Sequence, residues 1–254
     1  MRTTNDPDAT VGDLERLINI DQSFAARVLK IANSSLYGSR TIGTISHATR
    51  LLGSRELRNI ASSMAVAPQF RTPPQSLLDG PQLWKHALAC GLWTQRIAKY
   101  LNFIQTENLY TVGLLHDIGL IVLAKVAGLS FDQVLRLNKD HNENLIESEE
   151  RILQTNHTRV GAMVCAKWML PPQIVQIILS HHHIRVPSGP AVRILALAEH
   201  LASRFNLSEF LWCKPQDHVQ RSLLEDLDIS EVDVEKLATL GPEIAACVEQ
   251  LSQE

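Results

Sequence analysis

Apolar residues recur at three- and four-residue intervals along most of the chain, which is the spacing of one face of an α-helix. In the stretch that begins at Ser23, for example, Phe24, Val28 and Ile31 follow this spacing. The sequence has no sustained alternation of period two and no clustered β-branched segments between hairpin turns. The pattern therefore predicts an all-α fold.

Glycine, proline and asparagine separate the predicted helices. After an N-terminal helix with a capping-box spacing at Thr10 to Asp13, we predict helices over residues 23–33, 45–52, 54–64, 82–100, 108–126, 131–141, 145–169, 173–183, 191–205, 232–240 and 244–251. The stretch from Pro68 to Pro81 is rich in Pro, Gln, Ser and Gly and is the expected internal boundary. We therefore predict two packed helical lobes, residues 1–75 and residues 76–254, with the C-terminal helices in the second lobe.

The composition narrows the class of protein. Hydrophobic residues make up 45% of the 254 residues, which is enough for a sizeable core and excludes global disorder. The net charge of −3 argues against a general nucleic-acid binder, because phosphate contacts need a concentrated basic surface. The one local basic cluster is better explained as a solvated helix face: Arg50, Arg55 and Arg58.

The cysteines and the hydropathy are typical of a soluble cytoplasmic protein. The four cysteines show no C-x-x-C spacing and are expected to be reduced, mostly buried thiols: Cys90, Cys165, Cys213 and Cys247. The N-terminus is polar, and no run is expected to reach the ~18 apolar residues that span a bilayer. We therefore expect a soluble cytoplasmic protein without a membrane partner.

A His-Asp pair, His116-Asp117, lies inside an otherwise apolar run between Gly113 and Leu120. Burying an imidazole beside a carboxylate is costly unless both find partners. Two interpretations follow from this. The pair either binds a metal together with ligands from elsewhere in the chain, or it forms a hydrogen-bonded polar plug in a helical core.

Further histidines and an acid lie on predicted helices in apolar surroundings. They are His86, His157, the run His181 to His183, and Glu199. A metal site in a helical bundle is built from inward-facing side chains of several helices. Imidazole and carboxylate together suit Fe, Mn, Zn or Ni better than Ca or Mg alone. A hydrogen-bonded polar cluster or exposed surface positions remain the alternatives for these residues.

Several stretches, in this order, resemble the HD phosphohydrolase superfamily and in particular its HDOD branch. They are residues 27–38 (RVLKIANSSLYG), 45–53 (ISHATRLLG), 83–86 (LWKH), 113–119 (GLLHDIG), 157–162 (HTRVGA) and 168–171 (WMLP). The resemblance covers roughly residues 10–205. It rests on the stretches occurring together and in order.

The resemblance implies a set of metal ligands. In active HD enzymes the matching residues hold one or two metals, which activate a water for attack on a phosphoester. By that analogy the core site comprises His86, His116, Asp117 and Glu199. A second position comprises His157, His181 and His182, with Asp117 as a bridge and as the catalytic residue if the protein is active.

The sequence also departs from the active relatives. Cyclic-dinucleotide phosphodiesterases of the related HD-GYP type carry a lysine at the position of Leu120, and a Gly-Tyr-Pro segment where this chain has residues 184–187 (IRVP). Glu199 replaces the terminal aspartate of the superfamily, and His183 stands where the enzymes have an acid. These departures favour a non-catalytic signalling module that binds a protein or a nucleotide and is expected not to turn over cyclic dinucleotides. The retained histidines favour the alternative, a metal-dependent phosphohydrolase, and a DNA-binding regulator ranks last.

The resemblance further concerns the N-terminus. HDOD domains usually have an additional helix before the segment that matches Val11 to Ile20, and this chain begins almost at that point. We therefore expect an apolar groove on the first lobe, covered by a partner protein or by another subunit of a homo-oligomer.

Overall fold

The computed structural model describes residues 18, 22–38, 41–103, 108–141, 143–182, 189–207 and 221–252. These residues form helices, turns and loops, and no β-strand occurs among them, so the all-α prediction is confirmed. The α-helices are α1 (Gln22–Ala32), α2 (Ile45–Val66), α3 (Gly80–Tyr100), α4 (Leu109–Leu115), α5 (Ile118–Val126), α6 (Leu129–His141), α7 (Leu145–Leu153), α8 (His157–Lys167), α9 (Pro172–Ser180), α10 (Pro190–Arg204), α11 (Arg221–Leu227), α12 (Glu231–Ala238) and α13 (Gly241–Ser252).

The chain divides into two compact units. Unit 1 comprises Met1–Pro68 together with Pro242–Glu254, and unit 2 comprises Gln69–Gly241. The contacts thus place α13 with unit 1. The grouping by contacts does not test the predicted lobes, residues 1–75 and 76–254. They stay a prediction.

Unit 1 has its apolar core on α1, α2 and α13. Val28 on α1 and Val248 on α13 are fully buried, and the Arg27 guanidinium donates a hydrogen bond to the carbonyl of Leu251 at 3.3 Å. The helix α2 is kinked at Gly53, where the backbone leaves the helical region (φ 76°, ψ 167°). The predicted end of a helix at Gly53 therefore coincides with this kink.

Exposed apolar side chains are unevenly distributed. Every described large hydrophobic residue with strong exposure lies in unit 2, led by Met169 (90%), Leu129 (82%) and Val126 (81%). The apolar groove expected on the first lobe stays a prediction. The predicted N-terminal helix, for which only Ile18 is described, lies otherwise outside the described residues.

Two segments predicted as single helices are each interrupted, which corrects the prediction. The segment 108–126 consists of α4 and α5, with a turn at His116 and Asp117. The segment 145–169 consists of α7 and α8, because Gln154 adopts a left-handed conformation (φ 55°) and the Asn156 side chain caps α8. On one continuous helix, neighbouring side chains diverge by about 100°. At the turn, His116 keeps helical backbone angles (φ −55°, ψ −38°), whereas Asp117 leaves the helical region (φ −100°, ψ 11°).

The segment Leu109–Val126 is long and apolar enough to cross a membrane by length and mean hydropathy (1.6), which the sequence reasoning had not expected of any segment. In the structure 78% of this segment is buried inside the protein. Leu114, Leu120 and Ile121 are at most 1% exposed. The segment is therefore the centre of the unit 2 core.

Candidate metal centre

The seven residues that the sequence predicts as ligands come together in unit 2, where five parts of the helical framework supply them. His86 lies on α3, His116 and Asp117 in the turn between α4 and α5, His157 at the first position of α8, His181 and His182 directly after α9, and Glu199 on α10. His183, which was also considered, lies outside the described residues.

Two glycines of the GLLHDIG motif allow the helices to approach closely. A Cβ at Gly113 would lie 2.5 Å from the backbone carbonyl of Cys90, so α4 contacts the backbone of α3 here. A Cβ at Gly119 would collide with the backbone carbonyl of His157, so α5 contacts the first turn of α8. Gly113 therefore brings His116 toward His86, and Gly119 brings Asp117 toward His157.

The carboxylate of Asp117 faces histidines on both sides. Its Oδ2 atom lies 3.3 Å from His116 Nε2 and 3.8 Å from His86 Nε2. Its Oδ1 atom lies 3.5 Å from His157 Nε2 and 3.5 Å from His181 Nε2. The two oxygens thus serve two separate groups of donor atoms.

We name these groups by their donor atoms. The first position consists of Asp117 Oδ2, His86 Nε2, His116 Nε2 and Glu199 Oε1, and the second position of Asp117 Oδ1, His157 Nε2, His181 Nε2 and His182 Nε2. In the first position Glu199 Oε1 lies 3.3 Å from His116 Nε2. In the second, His182 Nε2 lies 3.1 Å from His157 Nε2. The spatial grouping matches the division that the family resemblance implied, while metal ligation itself stays a prediction.

In four histidines, the hydrogen-bond partner of Nδ1 determines which ring nitrogen carries the hydrogen. The Nδ1 atoms of His86, His116 and His181 lie 3.1, 2.8 and 2.7 Å from the backbone carbonyls of Leu207, Gly113 and Ile178. His157 Nδ1 lies 2.8 Å from Glu149 Oε2. A carbonyl only accepts hydrogen bonds, so Nδ1 is the donor and Nε2 of the neutral ring offers a lone pair. This is the arrangement that orients metal-binding imidazoles.

The donor set fits a metal ion. His86 Nε2 and His116 Nε2 lie only 3.2 Å apart, and two lone pairs facing each other at that distance need a proton or a cation between them. Two nitrogens bound tetrahedrally to zinc stand about 3.3 Å apart, given Zn–N bonds of about 2.0–2.1 Å. In addition, the buried Nε2 of His181 has no hydrogen-bond partner among the described residues. The cluster can therefore hold a metal.

Electrostatics within the cluster are dominated by its own members. Burial lowers the pKa of His116, but the nearby carboxylates of Asp117 and Glu199 outweigh it and raise that pKa to about 9. Burial also opposes ionisation of Asp117, yet the charge and hydrogen bond of His116 hold the pKa of Asp117 well below its usual range. Burial lowers the pKa of His86 and of His181 to about 4. Without metal, the His116 imidazolium thus offsets the charge of the Asp117 carboxylate.

Two further residues at the cluster escaped the sequence reasoning. Glu149 is fully buried and accepts hydrogen bonds from both the backbone N–H and Nδ1 of His157. Cys90 is also fully buried, and its Sγ lies 3.4 Å from His86 Nε2. Burial, followed by the charges of Glu199 and Asp117, raises the pKa of the Cys90 thiol well above its usual value. Cys90 follows His86 by four residues on a helix, a spacing that places both on one face; no sequence feature marks Glu149.

Most members of the cluster are buried, and among the described residues its most exposed edge is formed by Glu199 and His182. His116 is fully buried and Asp117 is 5% exposed, whereas His182 is exposed and the Glu199 side chain is 26% exposed. An approaching small molecule therefore meets the edge formed by Glu199 and His182.

Comparison with known proteins points to one family. The HDOD domain family model matches residues 1–184. A crystal structure of an HDOD domain protein of unknown function from Geobacter sulfurreducens is 30% identical, with a TM-score of 0.82 over 98% of this chain and 89% of that chain.

Two further crystal structures share the fold at lower identity. One, from Shewanella amazonensis SB2B, is provisionally named a phosphohydrolase (22% identity, TM-score 0.76, 98% of this chain and 90% of that chain). The other, from Marinobacter aquaeolei VT8, is provisionally named a signal transduction protein (22% identity, TM-score 0.75, 99% of this chain and 57% of that chain).

A curated sequence relative is an uncharacterized protein of Treponema pallidum (strain Nichols). It is 25% identical over 228 residues, which is 88% of this chain and 43% of that protein. The chain thus spans less than half the length of this relative.

Proposed function

The chain belongs to the HDOD domain family, and on that premise we propose that it is a cytoplasmic signal-transduction module that acts by binding a protein or a nucleotide rather than by hydrolysis. In this proposal the cluster in unit 2 holds divalent metal at its two positions, and the metal stabilises the module or forms part of its ligand-binding site. The partner is a signalling protein or a nucleotide, and a second copy of the chain is a further candidate.

The observation that carries the non-catalytic part of the proposal is the burial of Leu120. This residue is fully buried, three positions after Asp117, where the resemblance places a lysine in active cyclic-dinucleotide phosphodiesterases. Hydrolysis of a phosphodiester needs positioned positive charge where the transition state gathers negative charge. Loss of one such electrostatic contact typically lowers the rate by ~10²–10³. A buried leucine supplies no charge.

The chemistry of the donors limits the metals that suit the cluster. Imidazole nitrogens make up half of the donors of the first position and three of the four donors of the second, and the remaining donors are carboxylate oxygens, a combination that suits Fe, Mn, Zn or Ni. Calcium and magnesium prefer oxygen ligands throughout. We therefore propose a transition-metal centre.

A metal-dependent phosphohydrolase is the second candidate, and the exposed edge of the cluster favours it. Glu199 and His182 are accessible to solvent, so a substrate phosphate could reach the donor atoms. Divalent ions in such a site supply a water of lowered pKa and stabilise charge on phosphoryl oxygens.

A turnover and binding assay on the full chain separates the two candidates. The protein is purified without a His tag, reconstituted with Mn²⁺, Fe²⁺ or Zn²⁺, and incubated with cyclic dinucleotides and with a generic phosphodiester. We expect no metal-dependent turnover; calorimetric titration with the same cyclic dinucleotides then tests nucleotide binding. Metal-dependent turnover that Asp117→Asn abolishes would refute the proposal and establish the enzyme.

A further inference from the structure

The first position has one more donor within reach, a cysteine that neither the family resemblance nor the comparisons assign to it. Cys90 lies one helical turn after His86 on α3, in the buried part of unit 2. One donor atom from each of Cys90, His86 and His116 lies within 4.8 Å of the others. Donors on opposite sides of one ion, with bonds of about 2.0–2.3 Å, stand up to about 4.5 Å apart.

The thiol lies beside the His86 ring. Its Sγ atom lies 3.4 Å from His86 Nε2 and 3.8 Å from His86 Nδ1. A sulfur and a nitrogen bound tetrahedrally to one zinc ion, with bonds of about 2.3 and 2.05 Å, stand about 3.5 Å apart. A thiol that coordinates a metal cation is deprotonated outright.

Building on the proposed metal centre, we propose that Cys90 is a thiolate ligand of the first position and gives that position a preference for thiophilic ions. On binding, the metal–sulfur bond replaces the S–H bond and the proton passes to solvent. The two positions then differ in kind, since the second consists of imidazole and carboxylate donors. Thiolate selects Zn²⁺ and similar ions, whereas carboxylate and imidazole also accept Mn²⁺.

Cobalt(II) is the probe that tests this assignment, because a cobalt–thiolate bond gives a sulfur-to-metal charge-transfer band in the near ultraviolet. The full chain, purified without a His tag and stripped of metal, is titrated with Co²⁺ under reducing conditions. We expect the band to grow as the first position fills with Co²⁺ and to disappear when Zn²⁺ displaces the cobalt. The band requires no enzymatic activity.

A matched pair of serine variants identifies the sulfur. Cys90→Ser should abolish the band, whereas Cys165→Ser should keep it. Cys165 is an equally buried thiol of unit 2, and burial alone raises its pKa to about 12, without a contribution from the carboxylates of the cluster. Loss of an outer-shell partner typically weakens metal binding by ~10- to 100-fold. Cys90→Ser should weaken Zn²⁺ binding by at least this factor and leave the affinity for Mn²⁺ nearly unchanged. Cys90→Ala, checked for folding by circular dichroism, removes the sulfur by a second route.

The outcomes separate failure of this inference from failure of the proposed centre. Bound Co²⁺ without the charge-transfer band in the wild-type chain, or a band that persists in Cys90→Ser, would overturn the thiolate assignment and leave the histidine centre standing. A chain that binds no Co²⁺ would overturn both.

Discussion

The two candidate metal positions share Asp117 but are supported in different ways. In the first position, the Nδ1 atoms of His86 and His116 are held by backbone carbonyls, which are neutral acceptors. In the second, Nδ1 of His157 is held by the buried carboxylate of Glu149. A carboxylate partner raises the basicity of an imidazole ligand more than a carbonyl does. Burial lowers the pKa of His157, yet Glu149 outweighs it and the pKa is raised.

The fold can therefore give two similar sites different metal affinities through the hydrogen-bond acceptors of the ligand imidazoles. The second position is pre-oriented by an anion that no solvent reaches, and we expect it to bind metal more tightly. The first position instead includes Glu199, whose side chain is 26% exposed. Ligands can approach both positions at their exposed members, Glu199 and His182. Metal exchange is expected to be easier at the first position, whose histidines are held by neutral backbone carbonyls.

Asp117→Asn should have the largest effect on metal binding, because it removes the charge that both positions share. We expect metal binding at both positions to weaken by more than ~100-fold, beyond the range for an outer-shell partner. Metal content measured by mass spectrometry after dialysis against a defined metal concentration checks this.

Asp132→Asn is the control for that experiment. Asp132 is also a buried aspartate of unit 2, but its carboxylate accepts a hydrogen bond from the backbone N–H of Leu77 at 2.9 Å. The control keeps an amide oxygen that can accept the hydrogen bond from Leu77, so it should keep most of its stability as well as its metal content. If Asp117→Asn retained metal at both positions, the carboxylate would not be the bridge.

Gly119→Ala tests whether the close contact of α5 with α8 assembles the second position. The added Cβ would overlap the backbone carbonyl of His157, and a backbone atom cannot move aside as a side chain can. We expect a loss of about 3 kcal/mol in the free energy of unfolding, although alanine itself favours a helix by about 1 kcal/mol over glycine. Urea unfolding followed by circular dichroism measures this.

Gly161→Ala is the matched control on the other side of the same contact. A Cβ at Gly161 would meet the Cγ2 atom of Ile178 at 3.3 Å, and that methyl group can shift. The free energy of unfolding should change by less than about 1 kcal/mol. Equal losses in the two variants would contradict the assigned role of Gly119.

Glu149→Gln has the smallest expected effect on metal binding, because it acts on the second position alone. It keeps the shape of the side chain but removes the charge behind His157, so affinity at the second position should fall by ~10- to 100-fold and the first should change little. Calorimetric Zn²⁺ titration that separates the two binding steps measures both. Glu150→Gln, at a side chain that is 42% exposed and paired with Arg159, should leave both steps unchanged. A uniform loss in Glu149→Gln would show that the positions are not separately supported.

The sequence predicted the helices and the members of the cluster better than it predicted the geometry. Helical periodicity and the order of the histidines were enough to select His86, His157 and Glu199, because these features are local or shared with relatives. The turn at His116 and Asp117 escaped the reasoning, since the apolar run around the pair is uninterrupted. Its backbone is set by contacts with α3 and α8 that lie far away in the chain.

Glu149 illustrates the second limit. Its burial depends on the break between α7 and α8, where the left-handed Gln154 and the cap at Asn156 bring α8 back toward α7. The sequence favoured one long helix there, and on such a helix Glu149 and His157 would be separated by two turns. The hydrogen bond between them exists because the helix is broken.

The segment Leu109–Val126 also matters before unit 2 has folded. In the newly made chain it is an apolar stretch of 18 residues, a length that the machinery for membrane insertion accepts. Asp117 lies at its midpoint, where an aspartate costs about 2.5–3.5 kcal/mol of insertion free energy. The carboxylate that joins the two positions in the folded protein thus also raises the free energy of inserting the nascent segment into a bilayer. Replacing it with an uncharged residue to abolish metal binding removes this cost as well.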